Sequence, residues 1–265
     1  MGGPFPPDSS PSRVGFGADL ASAARALISQ PSVPLVSVAA TLLLQALPND
    51  RTGVARFVFA SANFVLDLFL LGWCGAQRVF FQRHFQSTPV SLRHLLRLVA
   101  PFVGRFFVLE FLAVITLMAL FSPLAHVLSI EVPDHPTWSN ISVSLKLLMI
   151  LFVSAIIGGD FALTFVTPAL AYTTRSAWYA IRIGLAMIRQ TWPRSALYVL
   201  CPPLALTLLN YVFPVGGLVV QLTTTTVVTL VGLLAKGAIA AFYLRERGSH
   251  SEDGAAYIIA QDEPP

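Results

Sequence analysis

Three ionisable residues sit where an apolar chain would be expected to carry none: Asp67, Asp160 and Lys236. Asp67 lies midway between Arg56 and Arg78, inside an apolar stretch running from Val54 to Phe81. Asp160 closes the segment Ile156-Ile-Gly-Gly-Asp160, near the middle of another apolar stretch from Ser142 to Tyr172. Lys236 precedes Arg245 by nine residues, about 13 Å of helix, a depth similar to that of Asp67 before Arg78. A charge at the centre of a bilayer costs about 2.5–3.5 kcal/mol on insertion scales, so each of the three needs a reason. They could line a polar pathway for protons, ions or a charged substrate. They could instead be neutralised inside a helix bundle by one another, or by Ser61, Asn63 and nearby threonines. Two midplane acids without a pair of broken helices favour the second reading.

Other chemistry is harder to assemble. Glu110 and Lys146 lie nearer the ends of apolar stretches, where snorkelling or a pairing with Arg105 accounts for them. His84 and His94 fall on one side of the expected membrane, and His126, Glu131, Asp134 and His135 on the other, without tight ligand spacing. No metal site or cofactor is expected. Patterns for phosphate loops, dinucleotide binding, serine hydrolases and zinc proteases do not occur. Thr223-Thr-Thr-Thr226 and Thr229 form a hydroxyl-rich patch, of a kind that commonly bonds back to its own helix or across to a neighbour. Ser154 and Gly158 form a small-xxx-small pair that allows another helix to approach.

The composition explains why these few charges stand out. Of the 265 residues 55% are hydrophobic and only 11% are charged, against roughly a quarter in soluble domains. Such a chain cannot coat its own surface in water, and a membrane protein follows. Its 17 basic residues comprise 15 arginines plus Lys146 and Lys236, a bias that suggests a GC-rich bacterial genome. The net charge of +4 does not call for nucleic acid, because membrane proteins collect arginine in cytoplasmic loops. Cys74 and Cys201 both lie in apolar stretches and read as small packing residues.

A spanning helix needs about 20 mainly apolar residues. Between Arg194 and Lys236, 41 consecutive residues carry no charge, and Pro214-Val-Gly-Gly217 divides them into two helices near 195–213 and 217–244. Four further stretches pass the same test: Val33–Leu47, which is short, Val54–Phe81, Pro101–Leu128 and Ser142–Tyr172. The sequence therefore predicts an all-α integral membrane domain over 17–247 with about six transmembrane helices. Residues 1–16 and 248–265 are expected to be disordered tails. The N-terminus has no basic region leading into an apolar run and is not read as a secretory signal.

Arginines cluster in alternate connections: Arg13 and Arg25; Arg78, Arg83, Arg93 and Arg97; Arg175, Arg182, Arg189 and Arg194; Arg245 and Arg247. The intervening connections carry Arg51, with Arg56 nearby, and the acids Asp50, Glu131 and Asp134. The positive-inside rule then places both termini in the cytoplasm, with the chain in the bacterial cytoplasmic membrane. Each expected helix pair is preceded by an amphipathic segment and a proline: Asp19–Pro31, Val90–Pro101 and Ser176–Pro193. This predicts three helical hairpins, each entered through an interfacial helix. In the third segment Arg175, Arg182 and Arg189 recur every seven residues and share one face. These three, with Arg93 and Arg97, are the candidate contacts to anionic lipid headgroups.

The stretch from Phe165 to Arg194 also carries a resemblance. Phe165-Val-Thr-Pro168 ends one helix, Ala180-Ile-Arg182 lies in an amphipathic stretch, and Trp192-Pro-Arg194 introduces the next span. The pattern resembles the six-helix bacterial membrane domain attached to some glycerophosphoryl diester phosphodiesterases, and its stand-alone relatives. In that family a serine usually follows the basic residue, where Ile183-Gly184 stands here. About thirty residues carry the likeness, which implies a six-helix architecture and transfers no catalytic residue. The function expected is a non-enzymatic multi-spanning protein, in envelope organisation or as a partner subunit of a membrane complex. A transporter or permease component using Asp67 and Asp160 is the alternative, and a membrane-embedded enzyme the least supported.

Overall fold

The computed structural model describes residues 15–47, 53–88, 90–127, 143–212 and 217–248, with some side chains inside α3, α4, α5, α7 and α8 left out. Among these residues there are eight helices: α1 (Phe16–Ser29), α2 (Ser32–Ala46), α3 (Gly53–Phe85), α4 (Leu92–Val127), α5 (Val143–Tyr172), α6 (Ala177–Thr191), α7 (Ala196–Val212) and α8 (Leu218–Gly248). The expected tails lie almost wholly outside the described residues, as do the connections Asn49–Arg51 and Ile130–Ile141.

Among the described residues three helices are long and apolar enough to cross a membrane: α3, α4 and α8. Two shorter helices, α1 and α2, meet at a bend of 88° and together count as a fourth candidate. The 15 residues of α2 rise only about 22 Å, short of a hydrocarbon core near 30 Å. Pro31 makes the bend: the helix stops at Gln30, whose N–H bonds the Ala26 carbonyl, and restarts with Pro34 in the first turn, where a missing N–H costs nothing. The 17 residues of α7 include Pro202 and Pro203, and α5 runs for 30 residues through Pro168.

The amphipathic segments behave differently from one another. α1 and α6 form as separate helices, as the sequence predicts. The break expected at Pro101 does not occur, because α4 continues through it. Leu95, Val99, Phe102, Phe106 and Leu109 make one buried stripe that passes across the proline. Gly72 and Gly75 of α3 let this stripe approach so closely that a Cβ at either would collide with the Val99 carbonyl or the Phe102 ring. Burying five large side chains outweighs the roughly 3 kcal/mol an interior proline costs.

α1 and α6 each dock one face on the rest of the chain. α6 turns Ala177, Ala180, Gly184, Met187 and Thr191 inward, with Gly184 against Val166 of α5. Leu185 is exposed together with Trp178 and Tyr179. α1 buries Asp19, Ala23, Ala26 and Leu27, and Gly237 of α8 sits directly under Ala23 and the Phe81 ring.

The core gathers at one end of the bundle. Trp73, Phe80 and Phe81 of α3, Phe165 and Leu170 of α5 and Leu233 and Tyr243 of α8 are fully buried. The opposite half is open. Only 11% of α3's most apolar stretch and 18% of α4's is buried within the chain, against 44% for α8. Phe57, Phe64, Val65, Phe107, Phe111 and Met118 all lie exposed on that half.

Candidate functional site

Polar groups enter the packed end in two clusters. In the first, Asp19 of α1 is 3% exposed and accepts a two-pronged bond from Arg245 of α8, with Nη1–Oδ1 at 2.8 Å and Nη2–Oδ2 at 2.9 Å. The Tyr198 hydroxyl of α7 donates to Asp19 Oδ2 as well. Aromatic rings enclose the pair: Tyr198 meets Phe16 edge-on at 4.9 Å and Phe242 at 4.3 Å, and the Arg245 guanidinium lies 5.7 Å over Phe242. A planar guanidinium matched to a carboxylate in this geometry is among the stronger polar contacts a protein makes. The cluster clasps α1, α7 and α8 together.

The second cluster runs through α2, α3, α5 and α8. Ser37 Oγ accepts from Trp73 Nε1 and Gln77 Nε2, each at 2.9 Å, and donates to the Val33 carbonyl at 2.8 Å. Gln77 Oε1 accepts from Lys236 Nζ at 2.9 Å. Arg78, 4% exposed, donates to the Lys236 carbonyl at 3.2 Å and to Thr167 Oγ1 at 2.9 Å. The Tyr172 hydroxyl donates to the Arg78 carbonyl at 2.9 Å.

These clusters redistribute the residues singled out in the sequence. Lys236 meets Gln77 and Arg78, not Asp67. Asp67 is exposed, on the open half of α3. Glu110 is exposed too, on α4, which packs along α3. It belongs to the middle of α4 rather than near an end, because the helix does not restart at Pro101. Arg105 stacks 5.2 Å over the Phe102 ring and makes no ion pair with Glu110. The side chain of Asp160 lies outside the described residues, as do those of Ser154, His126, Glu131, Asp134 and His135. Arg93, Arg97, Arg175, Arg182 and Arg189 are all exposed. Thr223 and Thr226 bond back to the Val219 and Leu222 carbonyls, and Thr225 bonds across to Gln45 of α2, the two habits expected of that patch. Both cysteines are free thiols.

Sequence reasoning missed Asp19, Tyr198 and Arg78. The Asp19–Arg245 pair spans 226 positions, so no local spacing announces it. Arg78 was assigned to a connection although it lies inside the apolar stretch Val54–Phe81, and that placement was the available signal.

Fold and site together define an all-helical membrane protein whose described charges include a buried Asp19–Arg245 pair, the buried Arg78 and the outward Asp67 and Glu110. No protein-family model matches the chain, and neither does any curated protein or solved structure.

Proposed function

We propose that this chain is a non-enzymatic partner subunit of a membrane complex, resident in the bacterial cytoplasmic membrane with both termini inside. The observation that carries this reading is the outward pair Asp67 and Glu110, at mid-height on two apolar helices whose surrounding faces are bare. Against lipid alone each carboxylate would be charged at a cost of a few kcal/mol or forced neutral. A neighbouring transmembrane helix carrying a lysine or arginine removes that cost. Three hairpins and six spans agree with this reading if α1–α2, α5 and α7 cross in the assembled complex, where neighbours can shield short helices. The resemblance to the six-helix phosphodiesterase-linked domain points to the same architecture. Exposed Arg182 and Arg189, flanked by Trp178 and Leu185 on α6, suit a basic helix lying on anionic headgroups.

The test is the size of the complex extracted from native membranes in mild detergent. The unaltered chain should migrate well above the mass of one or two copies. The double variant Asp67→Asn, Glu110→Gln should collapse to the chain alone while keeping its thermal midpoint within a degree or two, since neither residue supports the core. Equal complex size in the two proteins would remove the acids from the interface.

A further inference from the structure

We infer that a cavity between the ends of α1 and α3 binds a small primary ammonium group. The cavity measures about 300 Å³ and is lined by Ser29, Gln30, Phe80, His84, Thr88 and Val90. That is room for about ten waters, and so for a two-carbon amine. None of the six residues carries a carboxylate or a guanidinium. The one basic residue of α1, Arg25, is turned back along its own helix onto the Ala21 carbonyl and Ser22 Oγ.

The polar groups of this cavity are set to accept rather than donate. Ser29 gives its hydroxyl hydrogen to the Ala26 carbonyl at 2.7 Å, and Thr88 gives its own to the Arg83 carbonyl at 3.0 Å. Each hydroxyl oxygen therefore offers only lone pairs to a ligand. Ser29 Oγ lies 3.5 Å from His84 Nδ1, so that nitrogen carries the ring proton, a tautomer assigned from the contact. Nε2 is then left as an acceptor, and Gln30 adds an amide oxygen. Two helices end here, α1 at Ser29 and α3 at Phe85. The dipoles at such C-terminal ends favour a cation and disfavour a phosphate or carboxylate. An aromatic wall at Phe80 suits a cation too. Lone pairs, helix ends and an aromatic wall together fit a cation that brings several N–H donors, as a primary ammonium does. A quaternary ammonium has the charge but nothing to donate. The group arrives on a dissolved amine or on an aminophospholipid, and the cavity meets the same chemistry in both.

The experiment uses the full chain purified in neutral detergent, with its thermal midpoint followed while ethanolammonium replaces choline at constant ionic strength. The midpoint should rise and saturate, since a ligand bound only to the folded state stabilises it by mass action. Ser29→Ala combined with Thr88→Val should weaken the apparent affinity at least tenfold, and both residues are exposed, so the variant keeps its core. Thr116→Val, which removes an exposed hydroxyl bonded back to the Leu112 carbonyl, should leave the affinity unchanged. The same titration in nanodiscs separates the two sources. A response in phosphatidylcholine that is already saturated in phosphatidylethanolamine marks the lipid headgroup. An equal response in both lipids marks the dissolved amine, and either result upholds the site. A midpoint indifferent to the replacement would overturn the proposal. So would an undiminished response in the double variant, or an equal response to ethylene glycol, which donates hydrogen bonds without a charge.

Discussion

Asp19→Ala is expected to lower the stability of the folded chain by about 3 kcal/mol, among the largest effects of any single substitution in it. Removing one partner of a buried pair leaves the other charge uncompensated, and such losses run to about 3–5 kcal/mol. The lower end applies because the Arg245 side chain retains 29% of its exposure and can turn partly toward solvent. Tyr198 loses its acceptor at the same time. The effect is structural in a particular way: α1 should detach from α8 while α3 and α4 stay packed. Thermal denaturation in detergent gives the size of the loss, and a double-mutant cycle with Arg245→Met gives its origin. The double variant should be clearly more stable than the sum of the two single losses predicts. Strict additivity would mean that the pair contributes nothing to holding α1.

Trp73→Ala should cost a similar amount, about 3 kcal/mol, by a different route. Trp73 is fully buried, stacks on Phe69 at 6.0 Å and donates to Ser37 Oγ. Large aromatic deletions in soluble cores cost about 3–5 kcal/mol, of which part is transfer from water. Lipid is as apolar as the bundle interior, so that part shrinks and the lost packing and hydrogen bond remain. Trp73→Phe keeps most of the volume but loses the N–H and part of the indole ring, so about 1–2 kcal/mol is expected. Thermal midpoints of the two variants in one detergent separate these contributions. A Phe variant as damaged as the Ala variant would place the energy in the hydrogen bond instead.

The sequence is most informative where the property is local. Apolar length marks α3, α4 and α8; proline marks the Gln30–Pro31 bend and the end of α6; the 3.6-residue period marks α1 and α6. Pro101 misleads because its consequence depends on a neighbour: the glycines at 72 and 75 admit the Val99–Phe102 face, and the helix continues through the proline. The error propagates to Glu110, which a break at Pro101 would put near an end and a continuous α4 puts at mid-height.

The site is less legible than the fold for the same reason. Asp67 and Lys236 were found as charges in apolar stretches, which is a one-dimensional property. Which way each side chain turns is not. Arg78 and Asp67 share α3, eleven residues apart, yet one is buried among α5 and α8 and the other faces outward. That sorting depends on which half of α3 its neighbours cover. Asp19 shows the limit most plainly, since its meaning comes from Arg245 at the far end of the chain.

The central claim is that the open α3–α4 half, with its acids, is a protein interface. Photo-crosslinking in native membranes tests it at single positions. A photoreactive residue replacing Phe64 or Phe107, each exposed on the open half, should yield one discrete adduct with a protein other than this chain. The adduct should disappear in the Asp67→Asn, Glu110→Gln background, and the same probe at buried Phe81 should give none. Lipid adducts alone at both outward positions, or an adduct untouched by loss of the carboxylates, would contradict the account.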